Sequence, residues 1–229
     1  MNTLAIDAIT PALSVSASGP KGTCTLSVIN GGQHAPALLE LIDAAVARAG
    51  FTPRQTQWIA VPEGPGSFTG LRLAWSAAKA ISLAADCPIR AVPTLITYAA
   101  GFSSWPGPVV SVLDAKKSRF YAQIFRRGDV VTEPMDLSAA EFARYVAEGE
   151  RILVTGPDAA LFAEELSGAN PLLDCYSLPS GVHGMSAELL LIAQSGYADY
   201  NETVPDHAGP IYVRRSDAEI EFSERNGQQ

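Results

Sequence analysis

Residues 62–72 of the chain read Pro62-Glu63-Gly64-Pro65-Gly66-Ser67-Phe68-Thr69-Gly70-Leu71-Arg72. They follow a short apolar run at 58–61 and precede an unbroken helical pattern at 71–85, which predicts a strand, a glycine-rich loop and a helix. Such a joint exposes backbone N–H groups at a helix N-terminus, where an anion or a closely packed backbone can fit. The plainer alternative is a tight turn in which Ser67 or Thr69 caps the helix. Both interpretations predict the same strand–loop–helix unit.

Two common phosphate-binding motifs are absent from this loop. A P-loop requires Lys and then Ser or Thr after its last glycine, whereas Gly70 is followed by Leu71 and Arg72. The dinucleotide fingerprint requires G-x-G-x-x-G, and Gly64, Gly66 and Gly70 have a different spacing. The loop therefore belongs to neither class of nucleotide-binding protein.

The two halves of the chain repeat one order of elements. The strand pattern at 4–8 ends in Asp-Ala, as does that at 111–115, and the patterns at 61–65 and 153–157 both lead into Gly-Pro. Two matches in the same order predict a duplicated βββαβα unit. The predicted elements are strands at 3–7, 13–17, 23–28, 58–61, 109–114, 119–125 and 152–154, and helices at 35–49, 71–85, 138–148 and after Asp158. The Ser-, Gly- and Pro-rich stretch at 102–108 predicts a boundary between lobes 1–105 and 106–229, the second with a polar C-terminal tail.

The segment Gly64 to Arg72 resembles the hallmark segment of the bacterial TsaB (YeaZ) proteins of tRNA threonylcarbamoyladenosine synthesis. This resemblance spans most of the chain and is dense over the first half. Weaker similarities are the strand Leu4–Asp7, His34 at a helix start, the strand Val109–Asp114, and Pro210-Ile211-Tyr212-Val213-Arg214. The residues of the family loop are Gly64, Pro65, Gly66, Ser67, Phe68, Thr69 and Gly70. The duplicated plan is that of the actin-like α/β fold of sugar kinases and heat-shock ATPases, in which nucleotide binds between two lobes.

Composition and charge restrict the class of protein and its partners. With 47% apolar and 17% charged residues the chain has globular values, and it contains no run of about 18 apolar residues. The N-terminus has no secretory pattern and the three cysteines are widely spaced, so we expect a cytoplasmic protein. The net charge of −8 repels phosphate, and we therefore expect no tRNA binding by this chain alone. The basic clusters lie at 116–119, 126–127 and 214–215.

The residues after the first strand argue against catalysis. In active members of the actin-like fold, Asp is followed by a Gly/Ser/Thr hairpin, whereas Asp7 is followed by Ala8-Ile9-Thr10-Pro11. This disfavours an alternative function as an ATP-dependent small-molecule kinase. Asp7 and Asp114 are candidates either for Mg²⁺ binding through water or for turn formation.

Metallopeptidase activity, a second alternative, is also disfavoured. The related transferase TsaD carries His-x-x-x-His, whose two imidazoles share a helix face, but His34 has Leu38 at i+4. The resemblance therefore implies a degenerate, non-catalytic paralogue, and we predict no catalytic residue, no metal site and no cofactor.

The two helices of the first half carry more apolar surface than one sheet contact requires. Either another element of the chain covers the additional surface, or it meets a partner. The resemblance implies pairing through these helices with TsaD, or with a second copy as a homodimer when TsaD is absent, and binding of a TsaE-type ATPase to the pair. The function thus implied is support of TsaD as it threonylcarbamoylates the adenosine adjacent to the tRNA anticodon. The residues predicted for the partner interface are Ala37, Leu41, Ala44, Arg72, Trp75, Ser76, Lys79 and Leu83.

Overall fold

The first half of the chain folds into a five-stranded mixed sheet. A computed structural model describes residues 1–29, 31, 33–195, 202–205 and 207–213. The strand order is β3-β2-β1-β4-β5, in which β1 pairs antiparallel with β2 and parallel with β4. The strands are β1 (Thr3–Asp7), β2 (Ala12–Gly19), β3 (Gly22–Ile29), β4 (Trp58–Gly64) and β5 (Ile89–Pro93), and the helices are α1 (His34–Ala49), α2 (Phe68–Ala85) and α3 (Thr94–Ala99).

The second half repeats this plan. Its sheet has the order β8-β7-β6-β10-β11, and β9 also pairs with β7. The antiparallel β6–β7 pair and the parallel β6–β10 pair correspond to β1–β2 and β1–β4. The predicted duplicated α/β plan is therefore confirmed. The strands are β6 (Pro108–Lys116), β7 (Arg119–Arg126), β8 (Asp129–Val130), β9 (Met135–Leu137), β10 (Arg151–Gly156) and β11 (Asp174–Pro179), and the helices are α4 (Ala139–Phe142), α5 (Ala159–Ala169) and α6 (Ser186–Ser195).

Helices cover both faces of each sheet. On the first sheet, α1 and α2 bury their apolar stripes on one face, and α6 packs on the opposite face beside Trp58 and Ala60. On the second sheet, α4 and α5 cover one face and α3 the other. Because α3 also contacts β4 and β5, it lies between the two sheets, and α1 and α2 form the outer layer of the first lobe.

The structure bears on two sequence predictions, the helix at 138–148 and the boundary between the lobes. The helix predicted at 138–148 is wrong in length: a Ser138–Glu141 capping box starts α4, a single 3₁₀ turn follows at 143–145, and Val146 is extended. The boundary predicted between 105 and 106 lies between the two sheets, but α6 of the second half packs on the first sheet. The division into lobes at this boundary stays a prediction.

Candidate functional site

A cleft of about 950 Å³ opens between the lobes. The segments that line it are the hairpin after β1, the turn between β6 and β7, the glycine-rich loop and the C-terminal segment. Its lining residues include those at 9–11, 33–36, 65–70, 113–117, 157–158 and 211–213.

Asp7, at the end of β1, is fully buried beneath this cleft. Its Oδ1 accepts a hydrogen bond from the Ile9 N–H at 3.1 Å, and its Oδ2 accepts one from the Met185 N–H at 2.7 Å. Burial raises the pKa of the carboxyl to about 6, even though both backbone donors lower it. Asp7 thus ties the first strand to the start of α6 and exposes no oxygen to a metal ion or a phosphate.

At Gly70 the glycine-rich loop is packed against the hairpin. A Cβ added to Gly70 would lie 2.0 Å from the Ala8 carbonyl oxygen, so the backbones of α2 and the hairpin are in direct contact. The Ser67 Oγ accepts a hydrogen bond from the Gly70 N–H at 3.3 Å and caps α2. The Ser67 cap is thus the one that the plainer interpretation predicted, and the close backbone approach at Gly70 accompanies it.

At the corresponding strand end of the second lobe, Asp114 is held within a hydrogen-bonded turn. The Asp114 N–H donates to Asp158 Oδ2 at 2.8 Å, while the Asp114 carboxylate accepts from the Lys116 N–H at 2.7 Å and pairs with Lys116 Nζ at 2.6 Å. Burial raises the pKa of Asp158. Asp114 is thus a turn former, as one of the two alternatives held, and Asp158 bonds to Asp114 instead of capping α5 with its side chain.

Tyr98 of α3 fills the space below the cleft. Its ring is fully buried, and it lines a small enclosed gap together with Asp7, Thr94 and Met185. Burial, and then the negative charges of Asp7 and Asp158, raise the pKa of the phenol well above its ordinary value. Its hydroxyl has no hydrogen-bond partner in the described part of the chain. The buried Tyr98 ring therefore lies close to the carboxylates of both Asp7 and Asp158.

His34 is a packing residue at the start of α1. Its Nε2 lies 2.8 Å from the Thr10 carbonyl oxygen, which joins α1 to the hairpin, and its side chain is buried. Leu38, at the position of the missing second histidine, belongs to the hydrophobic core. Within the described ranges, no three His, Cys, Asp or Glu side chains come close enough to hold a metal ion.

Comparisons with known proteins agree with this architecture. Residues 29–169, well over half of the chain, match the family model described as TsaD, tRNA N6-adenosine threonylcarbamoyltransferase. The tRNA threonylcarbamoyladenosine biosynthesis protein TsaB of Bacillus subtilis is 23% identical over 83% of this chain and 84% of its own. TsaB of Escherichia coli is 25% identical over 94% of this chain and 96% of its own. YeaZ of Pseudomonas aeruginosa, a solved structure, superposes with a TM-score of 0.73 at 21% identity, covering 93% of this chain and 99% of that one.

The chain belongs to the TsaB (YeaZ) family. This confirms the family predicted from the loop, and the two-lobed fold is of the actin-like class, as predicted. No helix in the described ranges is both long enough and apolar enough to cross a membrane.

The predicted partner face of this TsaB-family chain is only partly exposed. Four of the predicted residues on α2 are exposed to solvent, and Leu83 is 88% exposed. The exposed residues are Arg72, Ser76, Lys79 and Leu83, and Ala37 and Ala44 are half-buried. Whether these residues meet a partner stays a prediction.

Trp75 and Leu41, both predicted for the partner interface, are instead buried in this chain. Trp75 is 3% exposed, its Nε1–H donates to the Pro62 carbonyl oxygen at 2.9 Å, and its ring packs in the first core cluster. The reason is the orientation of α2, which buries Leu71, Ala74 and Ala78 on the same stripe as Trp75. Leu41 is buried on the equivalent stripe of α1.

Sequence reasoning missed the role of the C-terminal segment at the loop. The Ile211 N–H donates to the Glu63 carbonyl oxygen at 2.8 Å, and a Cβ on Gly64 would lie 2.2 Å from the Ile211 carbonyl oxygen. Beside it, the Phe68 ring meets the Tyr212 ring with centroids 4.9 Å apart. The signal was the family-like segment at 210–214, but its partner in space was not deducible. Arg214 of that segment, the basic pair 214–215 and the polar tail lie outside the described residues.

Proposed function

We propose that this chain is a non-catalytic partner subunit of the tRNA threonylcarbamoyl transferase. It supports a TsaD-type enzyme in modifying the adenosine adjacent to the anticodon. The relatives are named tRNA threonylcarbamoyladenosine biosynthesis proteins, and the chain shares the TsaD family model. The observation that carries the non-catalytic role is the closed hairpin after β1.

The hairpin lines the cleft, but its packing leaves neither the Asp7 carboxylate nor the space beside Gly70 open to a nucleotide phosphate. Gly70 of α2 is in backbone contact with Ala8, and Asp7 is buried with both oxygens hydrogen-bonded. A nucleotide would have to displace these backbone contacts, which a packed interior resists. The same observation argues against the alternative of a small-molecule kinase.

Support of the transferase requires an exposed surface, and the outer layer of the first lobe offers one. The exposed side of α2 carries Arg72, Lys79 and Leu83, and α1 adds exposed Leu39. Arginine is enriched in protein interfaces, and the buried core of such an interface is more apolar than the rest of a protein surface. We propose that this face binds the transferase, that a TsaE-type ATPase binds the resulting pair, and that two copies pair through it when the transferase is absent. We further propose that the chain acts in the cytoplasm and does not bind tRNA alone, since its net charge is −8.

Reconstitution tests the function directly. The TsaD-type transferase, the TsaE-type ATPase, tRNA and the threonylcarbamoyl-adenylate donor are combined with and without this chain, and modified adenosine is measured by mass spectrometry. We expect modification only when the chain is present and none from the chain alone. Turnover by the isolated chain, or full modification without it, contradicts the proposal.

A pair of matched variants tests the docking face. Leu83→Glu changes an exposed leucine on α2, and Leu191→Glu changes a leucine that is 64% exposed on α6, on the other face of the first sheet. We expect both variants to melt like the parent, since exposed substitutions change stability by about 0.5 kcal/mol or less. Only Leu83→Glu should lose co-elution with the transferase. Equal binding by both variants would show that the interface does not include this side of α2.

A further inference from the structure

The C-terminal segment ends on the cationic side of α2. The Val204 N–H donates to the Ile89 carbonyl oxygen of β5 at 2.9 Å, and the Ile211 N–H donates to Glu63 of β4 at 2.8 Å. Val204 and Ala208 pack against the first core cluster. These contacts fix the path of the segment from the start of β5 to the end of β4, so that Tyr212 lies beside the start of α2.

Tyr212 holds one of the two cations of α2. The Arg72 Nε–H donates to the Tyr212 hydroxyl at 3.3 Å, and the Arg72 guanidinium lies 3.9 Å from the centroid of the Phe68 ring. The Phe68 and Tyr212 rings in turn pack on each other. Together, Phe68, Arg72 and Tyr212 form a cluster, here called the arginine clip, which keeps the guanidinium in one orientation although it is exposed.

The charges around the arginine clip indicate the chemistry of the surface that it would meet. Arg72 and Lys79 are the charged residues of α2, Lys79 lies 5.9 Å from the Trp75 ring, and neither cation has an ion-pair partner in the described part of the chain. The adjacent exposed face of α1 carries the acids Glu40 and Asp43. A nucleic acid would be repelled by these acids and by the net charge of −8, whereas a protein surface can present carboxylates to α2 alone.

We propose that the C-terminal segment is part of the docking surface, and that Tyr212 is a positioning residue which aims Arg72 at a carboxylate of an acidic helix surface on the transferase. This inference rests on the proposed function. A planar guanidinium recognises a carboxylate through two parallel hydrogen bonds, and the hydroxyl of Tyr212 takes only its Nε–H. The terminal nitrogens remain for the partner. Gly64 of the family loop admits this segment, because any side chain there would collide with Ile211.

The test measures the affinity of the full chain for the purified transferase by calorimetry. Tyr212→Phe removes the hydroxyl and keeps the ring contact, Arg72→Ala removes the cation, and Tyr145→Phe is the control on an exposed tyrosine of the second lobe. We expect Tyr212→Phe to weaken binding by about three- to tenfold, the range for one lost hydrogen bond, and Tyr145→Phe to leave it unchanged. Melting temperatures of all three variants should match the parent.

The combination of Arg72→Ala with Tyr212→Phe distinguishes a role of Tyr212 in positioning Arg72 from a general structural role of Tyr212. If Tyr212 acts through Arg72, Tyr212→Phe has no further effect in the Arg72→Ala background. Additive losses, or parental affinity of Tyr212→Phe, overturn the inference while leaving the proposed function intact. Failure of the parent chain to bind the transferase overturns both. An effect on self-association or on tRNA binding, with the transferase affinity unchanged, assigns the arginine clip to a second copy or to nucleic acid and also overturns the inference.

Discussion

Replacing Gly70 by alanine distinguishes a glycine needed for packing from a glycine needed for anion binding. Gly70 lies in the first turn of α2, where helix propensity alone would make alanine stabilising by up to about 1 kcal/mol. The added Cβ would lie 2.0 Å from the Ala8 oxygen, 2.8 Å from its carbonyl carbon and 3.1 Å from the Ile9 Cα. All three are backbone atoms that cannot rotate away. The helix or the hairpin therefore has to shift.

The expected magnitude follows from these distances. Overpacking in a close-packed interior costs about 1–3 kcal/mol, and here it has to outweigh the propensity gain. We expect Gly70→Ala to lower the free energy of unfolding by about 2 kcal/mol, which corresponds to about 4–8 °C in melting temperature for a chain of this length. Gly168→Ala is the matched control, because Gly168 is exposed in α5 and has no atom within 4 Å of the added Cβ. It should stabilise the chain by about 0.5–1 kcal/mol.

The assay is denaturant unfolding at pH 7, followed by tryptophan fluorescence and circular dichroism, with thermal melting as a second readout. The two substitutions are chemically identical and both are helical, so their opposite signs isolate the contact with Ala8. If Gly70→Ala were as stable as the parent or more stable, the loop would not be packed on the hairpin. The space beside Ala8 would then be open to a ligand, and the structural basis for a non-catalytic role would be lost.

Three further substitutions test other parts of the site. The pKa of Asp7 is about 6 in the folded chain, above its ordinary value of 3.8. The stability that Asp7 contributes is therefore present below pH 4 and is lost as the pH rises through 6, which lowers the free energy of unfolding by about 3 kcal/mol. Asp7→Asn cannot titrate, and its unfolding free energy relative to the parent should rise by that amount between pH 4 and 7; parallel curves would contradict the burial of an ionised Asp7. Trp75→Phe should lower the unfolding free energy by about 1–3 kcal/mol, because the Pro62 oxygen loses its buried donor, and an unchanged denaturation midpoint would contradict this. Gly156→Ala should lower the unfolding free energy by about 2 kcal/mol or more in the same assay, because φ is 108° at Gly156 and the added Cβ would lie 2.0 Å from the Val112 oxygen. Parental stability of this variant would show that β10 and β6 can separate there.

The plan of the fold was predictable because it depends on local patterns that occur twice. The register in which the repeated segments pair within the two sheets was not predictable. Ala5 pairs with Ala60, which places Gly64 two positions beyond the level of Asp7. Ser111 pairs with Thr155, which places Gly156 two positions before the level of Asp114. The two Gly-Pro pairs are therefore not equivalent in the sheets, because similar dipeptides follow strands of different length.

Burial on the outer helices was predictable only in part, for a physical reason. In α2, alanines lie on almost every side, so the apolar pattern does not fix which stripe faces the sheet. The Pro62 carbonyl oxygen accepts a hydrogen bond from the indole N–H of Trp75, and this contact favours the stripe that carries Trp75 as the buried one. This acceptor is a backbone carbonyl 13 residues before Trp75, and the hydropathy pattern contains no signal for it.

The glycine-rich loop shows why its chemistry could not be assigned from its letters. An anion cradle and a close backbone crossing both exclude a Cβ, so both require glycine at the same kind of position. What separates them is the group opposite each glycine: the Ile211 oxygen for Gly64 and the Ala8 oxygen for Gly70. Each is a carbonyl oxygen, which repels phosphate at the place where a cradle would offer N–H donors. The loop therefore joins the hairpin, α2 and the C-terminal segment, and this junction connects the cleft to the outer face of α2.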